Sequence, residues 1–180
     1  MFRPESFNWL RPFTYVPFSG TPNVISFIVV YIRNFVAAFL MSSIIVVGAI
    51  LAGGDERALY VALPITILLS SSEEVARWQF SRGSDRPLVA CMKFALIINA
   101  IELGATGWTM VLTTEPGSFF DWREFIQIRW GAFVLHLSLS ALLYYSIIWK
   151  RALWGLVLCA TLHTAFNLYM AHGLWGAFWR

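Results

Sequence analysis

Charge is scarce in this chain. Its 180 residues include 13 Lys and Arg and 10 Asp and Glu, 13% in all, where soluble domains run near a quarter. Hydrophobic residues make up 58%. A soluble fold of this size would lack the polar side chains to cover its surface, so a soluble globular domain and a disordered chain are both excluded. Cysteine is rarer still. The two present, Cys91 and Cys159, lie inside apolar stretches, which argues against a disulfide framework. A net charge of +3 gives no footprint for nucleic acid. Internal repeats, low-complexity tracts and the alternating strands of outer-membrane barrels are absent. Residues 1–23 contain four prolines and no short apolar core before a small-residue cleavage site, so they do not read as a signal peptide.

Long apolar runs are what the chain has instead. Five stand out, at about 24–53, 57–80, 87–113, 124–149 and 152–175. A span needs about 20 apolar residues, and a helix satisfies its backbone polar groups within itself. These runs predict an all-α, polytopic transmembrane helical bundle of about five spans, forming one domain over residues 24–180. Turn signals separate the runs at Gly53–Arg57, Ser81–Pro87 and Thr113–Ser118. Lys150-Arg151 is so brief a link that the last two helices must form a tight hairpin. Residues 1–23, with Phe2, Phe7, Trp9, Phe13, Tyr15 and Phe18 among their prolines, read as an interfacial segment, and Leu174–Arg180 as a matching aromatic belt. Five spans place the termini on opposite sides. Arg3, Arg11, Arg82, Arg86, Lys150 and Arg151 then share one side, against Arg57, Arg123 and Arg180 on the other. That bias predicts an inner or plasma membrane protein with its N-terminus cytoplasmic and its C-terminus outside.

Ionisable groups at membrane depth cost about 2.5–3.5 kcal/mol each on insertion scales, which makes them functional candidates. Glu73, Glu74 and Arg77 lie on the second stretch, Lys93 and Glu102 on the third, Arg129 and His136 on the fourth, and His163 on the fifth. Counted from the basic residues at about 1.5 Å per residue, Glu73 lies about 14 Å deep, His163 about 18 Å, His136 about 21 Å and Glu102 about 24 Å. Four helices thus bring polar groups to similar depth. Helical spacing puts Glu73 with Arg77, and His163 with Asn167, on shared faces. Asn99, Glu102 and Thr106 form one stripe, and Arg129, Phe133, His136 and Ser140 another. A single polar cluster built from the second to fifth helices is expected, with the first helix peripheral. Glu74 points about 100° from the Glu73–Arg77 face and is left unexplained by that pair. Pro64 reads as a kink, and His172 as interfacial. The bland readings are a structural Glu73–Arg77 ion pair and histidines that only hydrogen-bond between helices.

Glu73-Glu74-Val75-Ala76-Arg77 resembles the Glu-Glu-x-x-Lys/Arg motif of PrsW-type intramembrane proteases, part of the CPBP/Abi (CAAX protease-like) clan. Asn99-Ala100-Ile101-Glu102 is similar to that family's helix with a single glutamate. Arg129 followed by His136 resembles its Arg-plus-His helix, and His163-Thr164-Ala165-Phe166-Asn167 its final His-x-x-x-Asn/Asp helix. The four elements occur in the family's order across about 70–170. Arg77 stands where lysine is usual, and Asn167 where aspartate is common.

The resemblance implies a peptide hydrolase acting inside the membrane, metal-dependent or glutamate-assisted. On it, Glu73 is the general base or water-orienting group, with Glu74 next. His136 and His163 are metal ligands or oxyanion donors, and Glu102 a ligand or its support. Arg77, Arg129, Asn99 and Asn167 support the site. His136, His163 and Glu102 form an N/O set that suits zinc and leaves a position for water. The substrate would be a transmembrane protein or peptide. The competing class is non-catalytic: a scaffold or accessory subunit of a membrane complex, its two histidines able to hold a haem or chlorophyll-type pigment. Transporters show inverted repeats or broken helices more often, and no repeat is present.

Overall fold

The chain enters its first helix, α1 (Val24–Leu51), through a capping box. Asn23 Oδ1 accepts from the Ser26 amide at 2.8 Å, and Ser26 Oγ accepts from the Asn23 amide at 3.1 Å, which satisfies two otherwise orphaned donors. The helix stops at Gly53, whose φ of 72° costs glycine no Cβ clash. In this computed structural model the described residues are 23–53, 59–82, 84–113 and 122–178. The expected interfacial segment, apart from Asn23, lies outside them. So do most of the turns expected at 53–57 and 113–118, and the side chains of His172 and the C-terminal aromatic belt.

Four further helices follow: α2 (Leu59–Arg82), α3 (Pro87–Thr113), α4 (Trp122–Ile148) and α5 (Ala152–Phe178). Their bounds fall close to the apolar runs. The helix α2 continues through Pro64, although proline there removes one backbone hydrogen bond. Proline opens α3, where its missing N–H costs nothing, and the Ala90 amide bonds to the Arg86 carbonyl at 3.0 Å.

The α4–α5 hairpin is as tight as its two-residue link predicts. Lys150 takes a left-handed φ of 56°. The Arg151 amide reaches the Ser146 carbonyl at 2.8 Å, and the Lys150 amide reaches Ile147 at 3.1 Å. This is the Schellman pattern, built on lysine rather than the usual glycine. Past the turn, Gly155 lies so near Ser146 that a Cβ there would overlap the Ser146 hydroxyl.

Among the described residues, α1, α3, α4 and α5 are long and apolar enough to cross a membrane, and α2 is not. These four apolar helices point to an integral membrane protein. Packing explains the exception. The helix α2 contacts all four others, so its polar residues face protein. Ser70, Glu73, Glu74, Arg77, Gln79 and Ser81 are all buried.

The helix α1 is largely exposed, as expected of a peripheral helix, but its first half is seated firmly on the bundle. Phe27 and Val30 pack with Ala76, Phe80, Ala90, Phe94 and Ile98 in one buried cluster. Arg33 donates to Gln79 Oε1, as does Asn34 at 2.9 Å. Two polar side chains that looked like a helix end thus form a latch onto α2. The rest of α1 presents large apolar side chains outward, among them Ile25, Ile44 and Leu51, as a helix facing lipid does. A second cluster joins Leu139, Leu143 and Cys159 to Trp78, closing α2, α4 and α5 together. Cys91 and Cys159 are both buried free thiols.

Candidate functional site

Arg77 is the centre of the polar cluster. Its side chain is fully buried, lies one turn below two glutamates, and pairs with both. Nη1 is 3.0 Å from Glu74 Oε2, and Nη2 is 3.1 Å from Glu73 Oε1. Planar, forked guanidinium geometry permits this double pairing. Glu74, which helical spacing set apart from the Glu73–Arg77 face, is therefore drawn into it at i,i+3. The guanidinium carbon stands 5.3 Å from the Phe94 ring centroid, a cation–π contact.

The fourth and fifth helices bring the histidines onto these acids. Arg77 Nη2 lies 2.8 Å from His136 Nδ1, which is also 3.1 Å from Glu73 Oε1. Nδ1 thus meets a guanidinium donor and a carboxylate oxygen, and Nε2 lies 3.3 Å from a second carboxylate oxygen, Glu102 Oε2. His163 is held through one nitrogen. Its Nδ1 lies 2.9 Å from Glu74 Oε1. A carboxylate paired with arginine only accepts, so Nδ1 carries the proton and Nε2 keeps its lone pair. The two rings stand 5.2 Å apart and perpendicular.

These contacts separate the two glutamates chemically. Glu74 is completely buried and uses one oxygen on Arg77 and the other on His163. Glu73 engages Arg77 and His136 through Oε1 alone. Its second oxygen has no hydrogen-bond partner among the described residues, and 10% of its side chain is exposed. Glu102 reaches the cluster from α3 and is gripped by Arg129 Nη2 at 2.7 Å.

A cavity of about 120 Å³ adjoins the cluster, lined by Glu102, Arg129, His136, His163, Phe166 and Asn167 among others. On the opposite side Arg77, Ser81, Cys91, Leu139 and Ser140 are fully buried. There Ser81 bonds to the Arg77 carbonyl and to Cys91, and Ser140 to the Cys91 carbonyl. The site is closed towards the Arg82 end of α2 and open towards the other.

Lys93 is exposed, whereas Glu73, Glu74, Arg77, Glu102, Arg129, His136 and His163 all meet in the cluster. Asn167 stands at its edge, donating to Ser70 Oγ at 3.1 Å. Asn99 is not among the contacts. Its amide donates to the Ala95 carbonyl at 2.7 Å, and its Oδ1 is buried without a partner among the described residues. Ser70, Phe94, Ser81, Gln79 and Cys91 were not singled out in the sequence. Ser70 lies four residues before Glu74, on the same face, so helical spacing could have found it. Phe94 carried no such signal.

The metal-capable group also differs in one member from the set expected. Ligand atoms of Glu73, His136 and His163 lie within 4.8 Å of one another, and Glu102 contacts only His136 of these. The donor chemistry fits zinc, one carboxylate oxygen and two imidazole nitrogens. Three carboxylates face two guanidiniums, so a further proton or cation balances a site where uncompensated charge is costly.

No known protein family, curated protein or solved structure matches this chain.

Proposed function

We propose that this protein is an intramembrane peptide hydrolase of the PrsW/CPBP type. The observation that carries the reading is the convergence of Glu73, His136 and His163 from three helices within 4.8 Å, with one oxygen of Glu73 unbonded among the described residues. Peptide hydrolysis adds water across a C–N bond. A base must take one proton from that water, the oxygen joins the carbonyl carbon, and the departing nitrogen must receive a proton. Glu73 is placed for the first and last of these, its charge held by Arg77. His163 Nε2 offers a second acceptor on the cavity wall, and Glu74 fixes its ring through Nδ1. Arg77 and Arg129 supply the positive field that an oxyanion needs. Zinc, where bound, would be held by Glu73, His136 and His163 and would supply a water of lowered pKa.

All five helices cross the membrane in this reading. The helix α2 has 24 residues, long enough at about 36 Å to span, and its charges are shielded by neighbours. The basic loops then lie in the cytoplasm with the N-terminus.

The test is cleavage of apolar membrane peptides by the purified chain in vesicles. Glu73→Gln should lower the rate about 10²–10⁴-fold, the contribution of a general base. Cleavage that survives Glu73→Gln unchanged removes Glu73 from the chemistry. Metal content measured in wild type and in His163→Ala decides the zinc.

A non-catalytic scaffold is the second reading, favoured by one observation: Arg77 and Arg129 pair with all three acids, as a purely structural network would. Co-purification of fixed partner subunits that persists in Glu73→Gln, with no cleavage by wild type, supports it. A haem or pigment fits less well, because the 120 Å³ cavity is smaller than the roughly 300–1,000 Å³ of pockets for organic ligands.

A further inference from the structure

Two rungs join α2 to α5, one helical turn apart. In the first, Glu74, fully buried, holds His163 Nδ1 at 2.9 Å. In the second, Ser70, four residues earlier on α2 and 1% exposed, accepts from Asn167 Nδ2, four residues later on α5, at 3.1 Å. His163 and Asn167 both line the polar cavity, and neither Glu74 nor Ser70 does. Each rung thus occupies one polar atom of a cavity side chain and leaves its other one to the cavity: Nε2 of His163 and Oδ1 of Asn167. Asn167 Oδ1 has no hydrogen-bond partner among the described residues.

We propose that Ser70 is a positioning residue, which seats the Asn167 amide so that Oδ1 accepts a backbone N–H of the peptide substrate close to the bond being cut. The inference rests on the hydrolase reading and adds how the flanking chain is held. An unwound peptide group entering the cavity needs an acceptor for its N–H, since a buried donor left unpaired is penalised. The other acceptors on the cavity side are committed. Glu102 takes Arg129 and His136, and Glu73 and His163 serve the water and the bond itself. Ser70 lies farther than Glu74 from the Arg82 end of α2, so its rung, and Asn167 with it, is on the open side of the site. One helical turn is about 5.4 Å, and an extended chain advances about 3.3–3.6 Å per residue. A peptide group at Asn167 is therefore one or two residues from the group acted on beside His163. Without the Ser70 hydroxyl the amide turns freely, and the acceptor loses its fixed place.

The test uses a synthetic leucine–alanine membrane peptide with a central Gly-Pro pair, in vesicles holding the purified chain. In a set of analogues, single backbone N–H groups along its centre are replaced in turn by ester oxygen, which keeps the shape and removes the donor. In wild type, one analogue with its ester within two residues of the cut bond should lose about tenfold in kcat/KM, equivalent to 1.4 kcal/mol. Ser70→Ala should lower kcat/KM for the parent peptide about as much, mainly through KM, and leave that analogue unaffected. In Asn167→Ala it should add nothing, because Ser70 acts only through Asn167. Equal losses on parent and analogues in Ser70→Ala, with KM unchanged, assign Asn167 to the water and overturn the contact, as does full activity of Ser70→Ala. Kd for dansyl-labelled parent and analogues, read by energy transfer from tryptophan in Glu73→Gln, separates holding from cutting. A Kd advantage of the parent that vanishes when Ser70→Ala is added, with no cleavage by wild type, sinks the hydrolase and keeps the contact. Cleavage by wild type with no analogue penalised does the reverse, and neither cleavage nor a Kd difference overturns both.

Discussion

At the scale of single residues, two neighbouring glutamates have different jobs because their oxygens have different partners. Glu74 has both oxygens engaged and no exposure, while Glu73 engages its neighbours through one oxygen alone. Glu74→Gln should therefore preserve the fold and lower kcat about 10–100-fold, as changes to the partner that orients a working histidine do. Glu73→Gln should cost more, and steady-state kinetics of the two variants reads the difference. Equal losses would show that the oxygens do not divide the roles. Arg77 is a stability residue first. Its removal in Arg77→Met would leave two buried carboxylates without their cation, a loss of about 3–5 kcal/mol. Arg77→Lys keeps the charge but cannot bridge two carboxylates and His136 with a planar fork, so it should fall between wild type and Arg77→Met in denaturation. Glu73 with Arg77, and His163 with Asn167, were legible from helical spacing alone. That Arg77 also takes Glu74 was not, because a long guanidinium side chain reaches round the roughly 100° that separates adjacent positions.

At the scale of elements, helix ends follow local rules and so are readable in advance. Asn23 and Ser26 close a capping box, and Asn23→Ala should cost about 1 kcal/mol, seen as a small fall in thermal midpoint with activity intact. The α4–α5 hairpin depends on a closer fit. A methyl at Gly155 would overlap Ser146, so Gly155→Ala should destabilise by about 1–3 kcal/mol through overpacking. Ser146→Ala in the same chain should restore much of this, and a double-mutant cycle measures the recovery. No recovery would mean that the two helices do not meet there. The hairpin itself was evident from a two-residue link. The Gly155–Ser146 approach was not, since many glycines in an apolar chain meet nothing; a methyl added at Gly48 or Gly104 would find no neighbour within 4 Å.

At the scale of the whole molecule, one polar helix is enclosed by four apolar ones. That arrangement makes a membrane-embedded α2 tolerable, because its charges are solvated by partners rather than lipid. If all five helices cross, as proposed, the two termini would lie on opposite faces. Single cysteines at Arg57 and at Arg86, which bracket α2 in the sequence, in a chain with Cys91 and Cys159 replaced by serine, should react with an impermeant maleimide from opposite sides of sealed vesicles. Labelling from the same side would mean that α2 does not cross. The scarcity of charge, the positions of the apolar runs and the depth of the ionisable residues were set by sequence alone, because hydrophobicity and helical rise are properties of a segment by itself. The role of α1, the pairing of Arg33 and Asn34 with Gln79, the separation of Glu73 from Glu74, and the seating of Asn167 on Ser70 were decided only in the tertiary structure. Each depends on how one helix is rotated and seated against another, and that is determined by the packing of side chains far apart in the chain.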